Sequence, residues 1–316
     1  MTTPSTARTV TAAEASPHAH AIPRYISPAR CFYWSLLREF WEHRSLYIVP
    51  WAVAGLILAG FLLGAVRLRD SARLALALKL DDAHQLLNVQ DAFSVVALAM
   101  MGVTFIVAFF YSLSALQSDR RDRSILFWKS MPVSDVITIL SKATIPIVFV
   151  PLITFVVTVV TQWILLLIMS AVLVGTGFNV ALLWTHFFLG HMWLMLLYHL
   201  LTVHALWYAP IFGYLLLVSA WSRRGAFLWA TVPPLVIVIV EKIAFNTHYF
   251  SNFLAFRFQA GPEGGTPANM VFMNPLSNLT PLQFLWSTGL WDGLALTAVF
   301  LTGAVLLRRY RGVTTS

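Results

Sequence analysis

The chain has 316 residues and a formal net charge of +8; 59% of its residues are apolar and only 11% are Asp, Glu, Lys or Arg. Soluble domains carry about 25% charged residues, so a soluble enzyme and a disordered chain are both excluded: too few ionic groups remain to coat a water-facing surface. A single cysteine, Cys31, rules out an intrachain disulfide and a cysteine-built zinc site.

Residues 1–27 are rich in Ser, Thr, Pro and His and lack the apolar core of a secretory leader, so a flexible cytosolic tail is expected. Ser27 can cap a helix and Pro28 suits its first position. Over residues 28–44, Tyr33, Leu37, Phe40 and Trp41 then fall on one face, with Arg38, Glu39, Glu42 and His43 largely on the other. This pattern predicts an amphipathic interfacial helix on the cytosolic membrane surface. The plainer alternative is a cytosolic extension of the first span.

About 20 apolar residues cross the hydrocarbon core. Residues 46–66 and 92–116 are uncharged and give the first two spans. Residues 143–222 hold no Asp, Glu, Lys or Arg over 80 positions. Four crossings would leave nothing for turns, so two long spans are expected, 144–174 and 186–221, with a turn at Gly175–Asn179. Pro146 and Pro151 are positioned to kink the third span and Pro210 the fourth. Residues 225–245 and 286–307 complete six. The chain is thus expected to be all-α and polytopic, with one transmembrane domain over 28–310 and a short cytosolic tail at 311–316.

With the N-terminus inside, the inner segments hold 15 Lys and Arg and the outer ones 6. Positively charged loops stay in the cytosol, so both termini are expected there. The net charge then reflects topology and contact with anionic lipid, not nucleic acid. Between the first two spans, Leu74, Leu76, Leu78 and Leu80 in 67–91 suit either an interfacial helix or an extracellular cap. In 246–285, Gly261, Pro262, Gly264, Gly265 and Pro267 mark a loop, and Phe250, Phe253, Phe256 and Phe258 are expected to anchor in the outer interface.

Catalytic patterns are lacking. No phosphate-loop motif and no His-Glu-x-x-His run occurs. His186, His191, His199 and His204 show no i, i+3 or i, i+4 pair, so hydrogen bonding is expected of them and metal binding is not. Ionisable groups inside the spans look scarce, with Glu241 and Asp292 near outer ends. No enzyme, no metal site and no cofactor in this chain are expected. A carrier or channel working alone through Glu241 and Asp292 is the alternative to the reading below.

Residues 117–135 are the most informative. Asp119, Arg120, Arg121, Asp122 and Arg123 precede Ile125, Leu126, Phe127, Trp128 and Lys129, then Pro132 breaks the run and Ser134 can cap the next helix. Side-chain chemistry alone weighs protein contact and lipid anchoring equally for these aromatics. The run from Asp122 to Ser134 resembles the loop after the second span in bacterial ABC-transporter permeases of the type-2 exporter family. The six spans, the leading amphipathic helix, the Ser222-Arg223-Arg224 turn and the following span with Pro233-Pro234 are similar to that family too. The resemblance implies a cytosolic coupling helix between spans two and three, with Arg123, Ile125, Leu126, Phe127, Trp128 and Lys129 touching a separate ATP-binding subunit. It also implies two such subunits, which hold ATP and Mg, a homodimer or heterodimer of permeases, the bacterial inner membrane as location, and export of a hydrophobic, lipid-like, peptide or drug-like substrate.

Overall fold

The computed structural model describes residues 27–77, 82–121, 134–175, 180–185, 189–222, 224–258 and 281–311; among them every regular element is helical. Helix α1 (Pro28–Glu42) begins as the sequence dictates, with Arg30 N–H donating to Ser27 Oγ at 3.4 Å and Pro28 in the first turn. It stops at His43, whose N–H donates to the Glu39 carbonyl at 2.9 Å.

Helices α2 (Ser45–Ala77) and α3 (Asp82–Arg121) have 33 and 40 residues. At 1.5 Å per residue they reach about 50 and 60 Å, well beyond a bilayer. The segment left open at 67–91 is therefore largely a continuation of these two helices. Helix α4 (Asp135–Leu173) starts at Ser134, whose Oγ accepts from Ile137 N–H at 3.2 Å. Gly175, with φ of +77°, follows its end, where the turn was expected; residues 176–179 lie outside the described residues.

The prolines act by widening the helix. In α4 a π-helical turn, Ile145–Phe149, carries Pro146 and precedes Pro151, and Val150 N–H reaches back five residues to the Ile145 carbonyl. A π turn accommodates backbone groups that a proline leaves out of the regular ladder. After the short α5 (Ala181–Thr185), the expected fourth span divides. It forms α6 (Leu189–Trp207), whose last part Leu200–Trp207 is π-helical, and α7 (Ala209–Trp221). The division falls at Tyr208, just before Pro210. The two π segments pack against each other in the middle of the bundle.

Helix α8 (Ala226–Phe245) leaves the bundle early. Ala226 and Ala230 are its buried residues, and the Trp229 ring meets that of Trp221 at 4.9 Å between centroids and a 51° tilt. Asn246, at φ of +50°, then reverses the chain into α9 (Tyr249–Phe258). Helices α10 (Pro281–Trp286) and α11 (Thr288–Arg311) complete the described chain.

Six helices among the described residues, α2, α3, α4, α6, α8 and α11, are long and apolar enough to cross a membrane. In the apolar stretches of α3 and α4, 44% of residues are buried, against 11% in α8, so α3 and α4 form the centre and α8 the edge. One core joins α3, α4 and α7 through Tyr111, Ile145, Phe212 and Leu216; another, at the opposite end, joins Phe93, Leu166, Leu173 and Met192. Leu63, Ile106, Phe110, Leu235 and Ile243 are exposed. An exterior of this kind fits lipid, so the chain is a multi-pass helical membrane protein.

Trp207 is fully buried, packed on Phe256 and Phe284. Trp207→Ala is expected to destabilise the bundle by about 3–5 kcal/mol through the cavity it leaves, read as a lowered unfolding temperature in detergent.

Candidate functional site: a buried ionic network at one end of the bundle

Lys142, on α4, is completely buried. A lysine there needs a counter-charge, because desolvating an isolated ammonium costs several kcal/mol even after relaxation. Its Nζ donates to Glu39 Oε1 of α1 at 2.7 Å and lies 3.4 Å from Asp119 Oδ2 of α3. Both carboxylates are themselves buried. Glu39 Oε2 accepts from the Tyr111 hydroxyl at 2.7 Å. Asp119 also accepts from Arg38 Nη2 of α1 at 3.2 Å and faces Arg308 Nη1 of α11 at 3.5 Å.

The network continues outward at both ends. Arg308 Nε donates to Asp135 Oδ1 at 2.9 Å, and Arg38 Nε donates to Glu42 Oε1 at 2.6 Å. His43 closes the cluster, its Nδ1 3.7 Å from Glu39 Oε2 and its ring edge-on to Tyr111 at 5.0 Å. Carboxylates of Glu39, Glu42, Asp119 and Asp135 thus meet the cations of Arg38, Lys142 and Arg308 in one network, buried at Glu39, Asp119 and Lys142 and open toward solvent at Glu42 and Asp135. Helices α1, α3, α4 and α11 are pinned together there.

This overturns two expectations. Ionisable groups in the bundle are not scarce, and Glu39 does not lie on a solvated face of α1. The face holding Cys31 and Glu39 is the one buried against the bundle. Tyr33 and Trp41 are 59% and 69% exposed, while Leu37 is half-buried. Phe40 also turns inward, onto Phe149 at 5.1 Å between ring centroids. One signal for the site was available: Lys142 stands alone at the head of an 80-residue uncharged stretch.

Arg123, Ile125, Leu126, Phe127, Trp128 and Lys129 lie outside the described residues. Both stems of their segment are described. Asp119 lies near the end of α3 and Asp135 opens α4, and Arg308 holds both. Arg223 is also outside the described residues.

Glu39, Glu42 and His43 bring ligand-type atoms within 4.8 Å of one another. Lys142 and Arg38 already engage the two carboxylates, so the cluster is built for ion pairing. Two of the four histidines make hydrogen bonds to backbone carbonyls: His199 Nδ1 meets the Met195 carbonyl at 2.9 Å, and His204 Nε2 meets the Met101 carbonyl of α3 at 3.0 Å. His191 is exposed and His186 lies outside the described residues.

The two carboxylates of the alternative reading sit apart in role. Glu241 Oε2 accepts from Phe250 N–H at 2.9 Å and Oε1 from the Thr247 hydroxyl at 3.0 Å, so it caps the start of α9. Asp292 is exposed on α11. Near it, Arg257 of α9 is 3% exposed, its guanidinium 4.7 Å over the Trp207 ring, with Nη2 donating to the Gly289 carbonyl at 2.5 Å. Burial lowers the Arg257 pKa and the charge of Asp292 opposes that shift. Phe256 packs on Trp207 and Phe258 on Phe105, so the end of α9 meets protein at these two rings.

Lys142→Met is expected to destabilise the protein by about 3–5 kcal/mol, because Glu39 and Asp119 then share one buried space short of a cation. Adding Glu39→Gln to Lys142→Met should recover part of that loss, and a double-mutant cycle on unfolding temperature reads the coupling.

The chain matches no family model, no curated protein and no solved structure.

Proposed function

We propose that this chain is the membrane subunit of an ATP-driven exporter, powered by a separate ATP-binding subunit that docks on residues 120–131. The observation that carries this reading is the attachment of both stems of that segment, through Asp119 and Asp135, to Arg308 of α11, and of Asp119 to Lys142 and Arg38. A segment anchored in this way transmits a push to α1, α4 and α11 together, whereas an unanchored loop would absorb it. The likeness of Asp122–Ser134 to the coupling loops of type-2 exporter permeases supports the same reading, as does the lack of a phosphate-loop motif in this chain.

In this mechanism two ATP-binding subunits, which hold ATP and Mg, approach one another and press on the segments containing Arg123, Ile125, Leu126, Phe127, Trp128 and Lys129. The helices of two paired permease chains rearrange and release a hydrophobic, lipid-like, peptide or drug-like substrate. The pair is a homodimer or a heterodimer. The ionic network lies at the cytosolic side of the bacterial inner membrane, as do both termini. Helix α1 lies in the membrane surface with Tyr33, Leu37 and Trp41 toward lipid, while Phe40 and Glu39 hold it to the bundle. This chain carries out no covalent chemistry. A carrier acting alone through Glu241 and Asp292 has less support, because Glu241 is used as a helix cap.

Purification from mild-detergent membranes tests the reading. An ATPase is expected to accompany the wild type and to be lost from Phe127→Ala/Trp128→Ala. Transport that persists without ATP and without any ATP-binding chain would sink it.

A further inference from the structure

Pro233 and Pro234 have no backbone N–H, so inside α8 the carbonyls four residues back, those of Trp229 and Ala230, receive no helical donor. Within hydrocarbon such groups must find a partner elsewhere in the protein. One side chain supplies it. The Tyr214 hydroxyl of α7 donates to the Trp229 carbonyl at 3.4 Å and to the Ala230 carbonyl at 3.3 Å. The Tyr214 ring is held 5.7 Å from that of Phe300 of α11. The phenol thus meets the two groups that the prolines leave over, and it fixes the angle of α8 at the proline step.

This tie is weak by construction. A single proton is shared between two acceptors, and both distances are long for a hydroxyl. The two halves of α8 also differ. Before the prolines, Ala226 and Ala230 are buried and Trp229 meets Trp221. After them, Leu235, Ile237, Ile239, Val240, Ile243 and Phe245 are 46–80% exposed, around the whole helix. A proline pair is where a helix bends most readily. The second half also carries the start of α9 with it, because Glu241 accepts from Thr247 and Phe250. Once the hydroxyl lets go, the Trp229 and Ala230 carbonyls need water as their donor, so the released state is a hydrated one.

We propose that Tyr214 is a latch on α8. Its release lets residues 235–245 swing about the Pro233-Pro234 step and opens the contact between α8 and α7 to water and lipid. The arm from Pro234 to Ile243 rises about 14 Å, so a bend of about 20° carries Ile243 through about 5 Å. The inference does not depend on an ATP-binding partner and is tested on this chain alone.

The full chain, with its single cysteine removed by Cys31→Ala, is labelled with nitroxides at Ile243→Cys of α8 and Val299→Cys of α11. A second pair uses Ile243→Cys and Val95→Cys of α3; all three side chains are well exposed. Dipolar electron spin resonance in lipid nanodiscs reads the distances, with excess unlabelled chain to silence pairs between copies. Tyr214→Phe keeps the ring and removes the hydroxyl. It is expected to add a population displaced by about 5 Å in at least one pair. With Pro233→Ala/Pro234→Ala the helix regains both donors, so in that background Tyr214→Phe should leave both distances unchanged. Each variant is checked for monodisperse elution and wild-type helicity. Should Tyr214→Phe fail that check, its recovery by Pro233→Ala/Pro234→Ala supports the latch by the same logic. Unchanged distances in Tyr214→Phe, an equal change in both backgrounds, or failure to fold in both overturns the proposal.

Discussion

One buried ammonium group organises one end of this molecule. Lys142 has no access to water, so its charge is tolerable only where carboxylates of other helices reach it. Glu39 and Asp119 do so, and each brings further partners: Tyr111 on one side, Arg38 and Arg308 on the other. Apolar side chains tolerate sliding and rotation of helices past one another. Directional, low-dielectric ion pairs do not. The network therefore sets the register of α1, α3, α4 and α11 in a bundle whose remaining contacts are largely apolar.

The middle and the far end are built on different physics. One helical turn beyond Lys142, α4 loosens into the π turn at Ile145–Phe149, which packs on the π segment of α6. Both lack the regular four-residue ladder there, so the stiffest electrostatic contact adjoins the least regular backbone. At the far end, neutral polar groups take over. Gln162 accepts from the Trp193 indole at 2.8 Å and donates to the Phe93 carbonyl at 3.2 Å, joining α3, α4 and α6 with no charge involved. The arrangement is a bundle with a charged clamp, a pliable waist and a neutral bridge.

How much of this was legible depended on the range of the interactions. The spans could be read because apolar length is a local property. The caps at Ser27 and Ser134 could be read because a cap bonds within three residues. Pro146, Pro151 and Pro210 marked the irregular turns, although the outcome at Pro146 and Pro151 is π widening and only before Pro210 does the helix break, at Tyr208. Glu39 was misjudged because its i, i+4 neighbourhood, with Arg38 beside Glu42, looks like a solvated helix face. Its decisive partners, Tyr111 and Lys142, lie 72 and 103 positions away. Helical periodicity carries no information at that separation. The return of α9 was hidden for the same reason, since it rests on a glutamate capping a helix that starts eight residues later and on an arginine meeting a tryptophan 50 positions upstream.

Arg308 has a consequence for the order of synthesis. Chains emerge from the ribosome N-terminus first, so Glu39, Asp119 and Lys142 are all made long before Arg308. It is separated from Asp135 by 173 positions. Until α11 arrives, Asp119 and Asp135 lack the cation that joins them, although Lys142 and Arg38 already match Glu39 and Asp119. The link between Asp119 and Asp135, and with it the tie between the two stems of the 122–133 segment, thus closes only once α11 has packed beside α3 and α4.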